Sequence, residues 1–188
     1  MNVKVLVPIA NGTEEIEAVC IIDTLRRAGA EVTVASVEDT LQVTASRHTK
    51  LVADTFIADC ADVVYDCIAI PGGMPGAEHL RDCATLTAML RAQRDAGRLY
   101  SAICAAPVVV LQHHGLLAGR AATCHPSFAS HLENPTHVEK RVVVDNTAHG
   151  RCITSRGPGT AIEFALALIE TLYGAEKARE IGGQMLAK

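Results

Sequence analysis

One cysteine stands in a setting that suits a nucleophile. Cys104 lies in Leu99-Tyr100-Ser101-Ala102-Ile103-Cys104-Ala105-Ala106-Pro107, with one apolar run entering it and a second, 108–111, leaving it. Pro107 falls where the first turn of a helix tolerates a missing N–H. Strand, sharp turn and helix in that order is the layout of a nucleophile elbow, and Ala102, Ala105 and Ala106 are small enough for so tight a turn. A thiol at a helix start also faces unpaired N–H groups and the positive end of the helix dipole, which favour thiolate. The same residues equally suit a packed core cysteine, because a free thiol behaves as a small hydrophobe.

Three other segments carry residue types that could work with a thiol. Glu14, Glu15 and Glu17 crowd the start of the first predicted helix. Each is favoured there by the dipole, by about 0.3–1 kcal/mol, without any catalytic reason. The glycines of Pro71-Gly72-Gly73 either make a plain turn or let backbone N–H groups approach a ligand oxygen. His125, between Cys124 and Pro126, is the histidine best placed by topology to meet Cys104, although strand-end histidines are also structural. His113 and His114 read as surface residues near a helix end. Arg47 and Arg156 fall in loops and could hold an anion or stay solvated. No dinucleotide fingerprint and no Walker lysine motif occurs.

The elements that must position these groups follow from hydrophobic patterning. Residues 3–9 form a near-continuous apolar strand, and the acidic turn leads into a helix with Ile16, Val19, Ile22 and Leu25 at helical spacing, ended by Gly29. Residues 30–37 read as a second strand, parallel to the first. A small hairpin pairs 41–43 with 51–53 around Ser46-Arg47-His48. A buried strand at 67–70 ends at the glycine turn, a helix spans 84–96, and the strand opening at Leu99 leads to Cys104. After the elbow helix come a short strand at 121–124, a polar connection at 127–139, strands at 141–145 and 151–154, a loop at 155–160, a helix at 161–173 and a short final helix. The last long helix carries Ile162, Ala165, Leu166, Ile169 and Leu172 on one side. The alternation predicts a single α/β domain over 1–188, a doubly wound, mostly parallel sheet sandwiched by helices, with sites beyond the carboxyl ends of the strands.

Composition removes several function classes. The 188 residues are 49% hydrophobic and 20% charged with net charge −4, so no basic surface is offered to nucleic acid or anionic lipid. Aromatic residues are only 3% and tryptophan is absent, which argues against stacking platforms for single strands. No apolar run reaches the roughly 20 residues of a spanning helix, and Met1 runs straight into a strand with no leader pattern. A cytoplasmic protein is expected, with a mitochondrial or nuclear fraction left open. The seven cysteines are odd in number and lack C-x-x-C spacing, against a disulfide framework or a zinc knuckle.

Taken together, Ala10-Asn11-Gly12-Thr13-Glu14-Glu15-Ile16-Glu17, Pro71-Gly72-Gly73, Ala102-Ile103-Cys104-Ala105-Ala106-Pro107, His125-Pro126 and Thr154-Ser155-Arg156-Gly157-Pro158-Gly159-Thr160 resemble the ThiJ/PfpI family across the whole chain. The likeness is to the branch of the parkinsonism-linked protein deglycase and its bacterial ThiJ-like relatives. It implies a flavodoxin-like homodimer with its site close to the interface. It further implies Cys104 as nucleophile and oxidation-sensitive thiol, and Glu17 as a protonated partner of the sulfur. Gly72, Gly73 and Ala105 would turn backbone N–H groups toward an oxyanion or oxidised sulfur. His125 would stand nearby, with Arg47 and Arg156 at the rim. The implied activity is a glyoxalase or deglycase, acting without metal or organic cofactor on methylglyoxal, glyoxal or glycated protein. A redox sensor or chaperone working through Cys104 sulfinate is the second expectation, and thiamine-related biosynthesis rests on the family's name alone. The protease-like branch carries histidine directly after the nucleophile, and Ala105 occupies that position here, which argues against peptidase activity.

Overall fold

The computed structural model describes residues 3–147 and 150–187. Strand β1 (Lys4–Ile9) runs into helix α1 (Glu15–Arg27), and β2 (Glu31–Ser36) returns parallel to β1, pairing Val5 with Val32 and Val7 with Val34. A separate antiparallel hairpin, β3 (Gln42–Thr44) and β4 (Lys50–Val52), pairs Val43 with Leu51. The short β5 (Thr55–Phe56) closes the edge beside β2. Then follow β6 (Cys67–Ile70), α2 (Gly76–Asp82), α3 (Ala84–Asp95) and β7 (Leu99–Ile103). The chain ends with β8 (Val142–Thr147), β9 (Gly150–Ser155), α4 (Ala161–Tyr173) and α5 (Ala175–Gln184).

The seven-stranded sheet has the order β5-β2-β1-β6-β7-β9-β8, parallel except where β8 meets β9. Alternating side chains feed two cores. Val5, Val7, Ile9, Cys67, Ala69, Leu99 and Ile103 face α1, α4 and α5, whereas Leu6, Ile68, Ile70, Tyr100 and Ala102 face α2 and α3. Strands buried on both faces are why the sequence shows unbroken apolar runs there. The winding reverses between β1 and β6, so a crevice opens at their carboxyl ends. Among the described residues, no helix is long and apolar enough to cross a membrane.

Several expectations need correction. Residues 121–124 form no strand. Two of their N–H groups go to side chains instead of a ladder: Ala121 donates to Asp145 at 2.9 Å and Thr123 to the Thr154 hydroxyl at 2.9 Å. The same Asp145 carboxylate holds buried Arg120 at 2.8 Å. The segment after Cys104, Pro107–Gln112, is a single π-helical stretch and no α-helix. The polar connection contains two 3₁₀ turns, Pro126–His131 and Pro135–His137, and α2 and β5 were invisible as patterns. The turn between the last two strands lies at 148–149, outside the described residues.

Both long helices are rotated from their apparent apolar stripes. Helix α1 buries Glu17, Ala18, Ile21, Thr24 and Leu25, leaving Ile16 53% and Val19 48% exposed. Helix α4 buries Ala161, Phe164, Ala165, Leu168 and Ile169, while Ile162 is exposed. Ala18 and Ala161 are fully buried on the inward faces of these helices.

Candidate active site

Three turns at the carboxyl ends of β1, β6 and β7 meet in the crevice. The first spans Ala10 to the start of α1. Thr13 closes it, its hydroxyl accepting the Ala10 N–H at 2.9 Å while its own N–H donates to the Ala10 carbonyl at 3.1 Å. Glu14 caps α1 by accepting the Glu17 N–H at 2.8 Å. That cap aims the Glu17 side chain inward, and Glu17 is fully buried.

The second turn is Pro71-Gly72-Gly73. The Glu14 N–H donates to the Gly72 carbonyl at 2.9 Å, joining the first two turns. The Gly72 N–H donates to Glu17 Oε2 at 2.7 Å. A Cβ at position 72 would stand 2.6 Å from the Cys104 Cβ and 2.9 Å from Glu17 Oε2, so no side chain fits. Gly73 takes a φ of 92°, and a side chain there would meet the backbone of Gly12, Thr13 and Glu14.

The third turn is the elbow. Cys104 holds a φ of 67°, a left-handed conformation that a side-chain-bearing residue keeps only when its surroundings impose it. Here they do: the Cys104 N–H donates to the Ser155 carbonyl at 3.0 Å, and the Cys104 carbonyl accepts the His125 N–H at 2.8 Å. Cys104, like Cys20 and Cys83, is partly exposed, whereas Cys60, Cys67, Cys124 and Cys152 are buried.

Electrostatics ties Glu17 to Cys104. Burial pushes the Glu17 carboxyl up to about 7; the Glu14 charge adds to this, and the Gly72 N–H and the Cys104 thiol oppose it. Burial, followed by the charge and hydrogen bond of Glu17, pushes the Cys104 thiol up to about 12, against the N–H groups of Gly73 and Ala105. The expected thiolate-favouring helix start is therefore outweighed, first by burial and then by the Glu17 carboxylate. Two buried acids side by side hold one negative charge more readily than two. When Glu17 keeps the proton, its repulsion of the thiolate disappears and the two N–H groups stabilise the sulfur anion. Glu17 Oε1 is buried and accepts no N–H or O–H hydrogen bond from the described residues, which leaves it able to exchange a proton with a reacting group.

A pocket of about 250 Å³ opens onto the sulfur, lined by Ser46, Arg47, Gly73, Met74, Cys104, Ala105, His125, Ser127 and Phe128. His125 Nδ1 accepts the Ser127 N–H at 3.2 Å, which places the proton of a neutral ring on Nε2. A larger hollow of about 810 Å³ lies at the opposite end of β7, lined by residues such as Arg94, Gly97 and Arg120, and contains no nucleophile. No group of metal-ligating side chains occurs among the described residues.

The profile of one family, described as the DJ-1/PfpI family, matches residues 3–171. The chain belongs to the DJ-1/PfpI family. The Protein DJ-1 homolog B of Arabidopsis thaliana is 49% identical over 98% of this chain, which spans 42% of that longer protein. The Glutathione-independent glyoxalase DJR-1.2 of Caenorhabditis elegans is 38% identical over 89% of this chain and 87% of its own length. The structure of oxidized DJ-1 from Toxoplasma gondii superposes with a TM-score of 0.93 at 56% identity, covering 98% of both chains. The flavodoxin-like DJ-1/PfpI fold is thus present from β1 to α5.

In this crevice Cys104, Glu17, Gly73, Ala105, His125 and Arg47 come together. Gly72 is present too, but its N–H is committed to Glu17 and does not face an oxyanion. Arg156 is absent from the pocket wall: its Nη1 lies 3.4 Å from the Glu139 carboxylate and its Nε is buried without a partner. Sequence reasoning missed Ser46, Met74, Ser127 and Phe128, whose types are too common to stand out. It also missed the division of labour among the three acids. The Glu14-x-x-Glu17 spacing is that of an N-cap and its N3 residue, a signal that was available.

Glu15 has a separate task. Burial works against its charge, but its own backbone N–H, the Ser46 hydroxyl, the Arg47 N–H and Thr49 together hold the carboxyl down to about 2. It accepts the Ser46 hydroxyl at 2.8 Å and the Arg47 N–H at 2.8 and 3.1 Å, pinning the hairpin tip over the pocket.

Proposed function

We infer that the protein is a cofactor-independent, cysteine-dependent glyoxalase that converts methylglyoxal to lactate and glyoxal to glycolate. The observation that carries this reading is the strained Cys104 elbow facing a buried carboxyl whose titration lies near neutrality. In the proposed cycle the Cys104 thiolate adds to the aldehyde carbon and Glu17 donates its proton to the oxygen, giving a hemithioacetal. Glu17, now a carboxylate, removes the proton from that carbon. The resulting enediol is reprotonated on the neighbouring carbon, leaving a thioester on Cys104. Water hydrolyses the thioester, releasing the 2-hydroxy acid and restoring the thiol and its shared proton. One water is consumed and no electrons leave the substrate, so no redox partner is needed. An acid titrating near 7 serves both as donor and as base in this sequence. The name of the nematode relative supports the same chemistry. Release of early glycation adducts from protein extends the same addition to larger carbonyl derivatives. Methylglyoxal consumption with lactate detection tests the reading.

A second reading, redox sensing, is favoured by the partly exposed sulfur held between Glu17 and the N–H groups of Gly73 and Ala105, a cradle that suits sulfinate oxygens. Mass spectrometry after mild peroxide is expected to show Cys104 oxidised first among the seven cysteines. Even oxidation across all seven would remove it.

The proposed assembly is a homodimer through the outer face of α1, where Ile16 and Val19 stand exposed one and two residues from Glu17. A double Ile16→Glu, Val19→Glu variant is expected to sediment as a monomer while the wild type sediments at twice that mass. Identical sedimentation of the two proteins would place the interface elsewhere.

A further inference from the structure

The loop from Ser155 to Thr160 is tied to the elbow by contacts that the proposed cycle does not use. The Ser155 carbonyl, at the end of β9, accepts the Cys104 N–H at 3.0 Å. Two residues on, a Cβ at Gly157 would stand 3.4 Å from the His125 ring and 4.0 Å from Glu17 Oε1. The loop backbone therefore lies against all three groups of the site. A pair of buried hydroxyls, those of Ser155 and Thr160, holds it, with their oxygens 2.7 Å apart. The Thr160 oxygen accepts the Gly157 N–H at 3.1 Å, and the Ser155 oxygen lies 2.7 Å from the Arg141 carbonyl.

Two hydroxyl protons serve this set, and the carbonyls decide their direction. The Arg141 carbonyl can accept but not donate, so the Ser155 proton goes to it. The Gly157 carbonyl, 2.9 Å from the Thr160 hydroxyl, already accepts the Thr160 N–H at 2.8 Å, which leaves the Thr160 proton for Ser155. The result is a one-way chain from the Gly157 N–H through Thr160 and Ser155 to the Arg141 carbonyl, in which each bond polarises the next. Arg141 also clamps the loop from outside. Its Nη2 donates to the Gly159 carbonyl at 2.6 Å and pairs with Glu163, in the first turn of α4, at 2.6 Å.

Resting on the reading of Cys104 as the reactive thiol, we propose that Thr160 is a positioning residue: through Ser155, its hydroxyl holds the elbow in the conformation that aims the sulfur at the Gly73 and Ala105 N–H groups. The left-handed φ of 67° at Cys104 persists only while its neighbours over-determine it. Loss of the Thr160 hydroxyl leaves the buried Gly157 N–H without an acceptor and the Ser155 oxygen without a donor. The loop shifts to satisfy them, the Ser155 carbonyl moves with it, and Cys104 relaxes with its sulfur away from Glu17 and the two amides.

The test reads the sulfur and needs no turnover. Cys104 is alkylated with iodoacetamide across a range of pH and followed by mass spectrometry of its peptide. An S–C bond forms, iodide leaves and the thiol proton passes to solvent. In wild type the rate rises through the titration of the Glu17–Cys104 pair at about 7. Thr160→Val keeps the volume and removes the hydroxyl, and its inflection is expected to move toward the ordinary thiol value of about 8.5. Thr160→Ser keeps the hydroxyl, loses a methyl group and retains the wild-type inflection. Packing alone predicts the reverse order, since serine is the smaller residue. Leu168→Ala, a buried change further along α4, lowers Tm and leaves the inflection in place. The titratable groups facing Glu17, namely Cys104, Glu14 and Cys20, with His125 beside Gly157, are the same in all of these proteins. An inflection unmoved in Thr160→Val, or moved as far in Thr160→Ser or Leu168→Ala, overturns the proposal. So does a wild-type inflection already near the ordinary thiol value.

Should Thr160→Val fail to fold, amide hydrogen exchange of the wild type decides. The Gly157 N–H on Thr160 and the Cys104 N–H on Ser155 are expected to open as one unit, with protection within roughly threefold of each other. A difference of roughly tenfold or more shows that they open separately and overturns the proposal. Lactate formation enters neither measurement. A protein whose inflection moves as expected but which makes no lactate loses the glyoxalase reading and keeps the role of Thr160. One that makes lactate with an unmoved inflection loses the role of Thr160 alone.

Discussion

Cys104→Ser is expected to abolish the proposed formation of lactate from methylglyoxal, by at least about 10³-fold, with the fold intact. Serine is close in size to cysteine and can keep the φ of 67° that the Ser155 and His125 backbone contacts impose. Its hydroxyl is far harder to ionise than a thiol, and the carboxyl beside it titrates only at about 7. The measurement is lactate detection on both proteins, alongside circular dichroism and thermal unfolding to establish equal folding. Lactate lost with the variant and formed by wild type assigns the chemistry to this sulfur. Lactate formed equally by both removes Cys104 from the reaction. If neither protein makes lactate, the glyoxalase reading fails and peroxide titration of Cys104 becomes the decisive measurement.

Glu17→Gln separates catalysis from stability, because it moves them in opposite directions. Glutamine keeps an oxygen for the Gly72 N–H at the Glu17 Oε2 position but cannot hold the shared proton. Turnover is expected to fall by about 10²–10⁴-fold. In wild type the Glu17–Cys104 pair loses its first proton near 7 and its second only near 12. The reactive pair carries one proton, so the rate rises as pH passes through about 7 and then stays level. That inflection disappears in the variant. Stability follows the opposite sense. The folded-state titration of Glu17 is raised from 4.5 to about 7, so the native state binds this proton more tightly than the unfolded chain does. Wild-type stability therefore declines as pH rises across that window. Above it, Glu17→Gln no longer buries a charge, and its Tm at pH 8 is expected to exceed that of wild type by at least about 3 °C. A variant with full turnover, or one less stable than wild type at pH 8, would show that Glu17 is a structural acid.

Much of the site was legible in the chain, for reasons of local chemistry. A cysteine between an apolar strand and a proline-started turn, with alanines on both sides, fits an elbow as well as a packed core, and the other motifs of the family resemblance tipped the reading. Glycines at 72 and 73 announce a place where backbones approach closely, and the structure shows what they approach: the Cys104 Cβ and the Gly12–Glu14 turn. The strands of the parallel sheet were legible because burial on both faces leaves unbroken apolar runs. The 121–124 segment was misread for the same reason. Its apolar residues are buried, but its hydrogen bonds go to Asp145 and Thr154 side chains, which no pattern reports.

By itself, the sequence determined most of the order of strands and helices, the elbow, the glycine turn and the candidate thiol. These depend on periodicity, side-chain volume and backbone freedom, all local properties. The tertiary structure alone decided which of three neighbouring glutamates enters the site. Glu14 caps the helix, Glu15 anchors the hairpin and Glu17 is buried beside the sulfur, because α1 turns Ala18, Ile21 and Leu25 inward and leaves Ile16 and Val19 outside. It also decided that Arg47 reaches the pocket and Arg156 does not, since each loop arginine goes where its surrounding backbone is tied. Proton sharing between Glu17 and Cys104 arises from burial at a distance of 87 residues along the chain, and burial is a property no stretch of sequence carries alone.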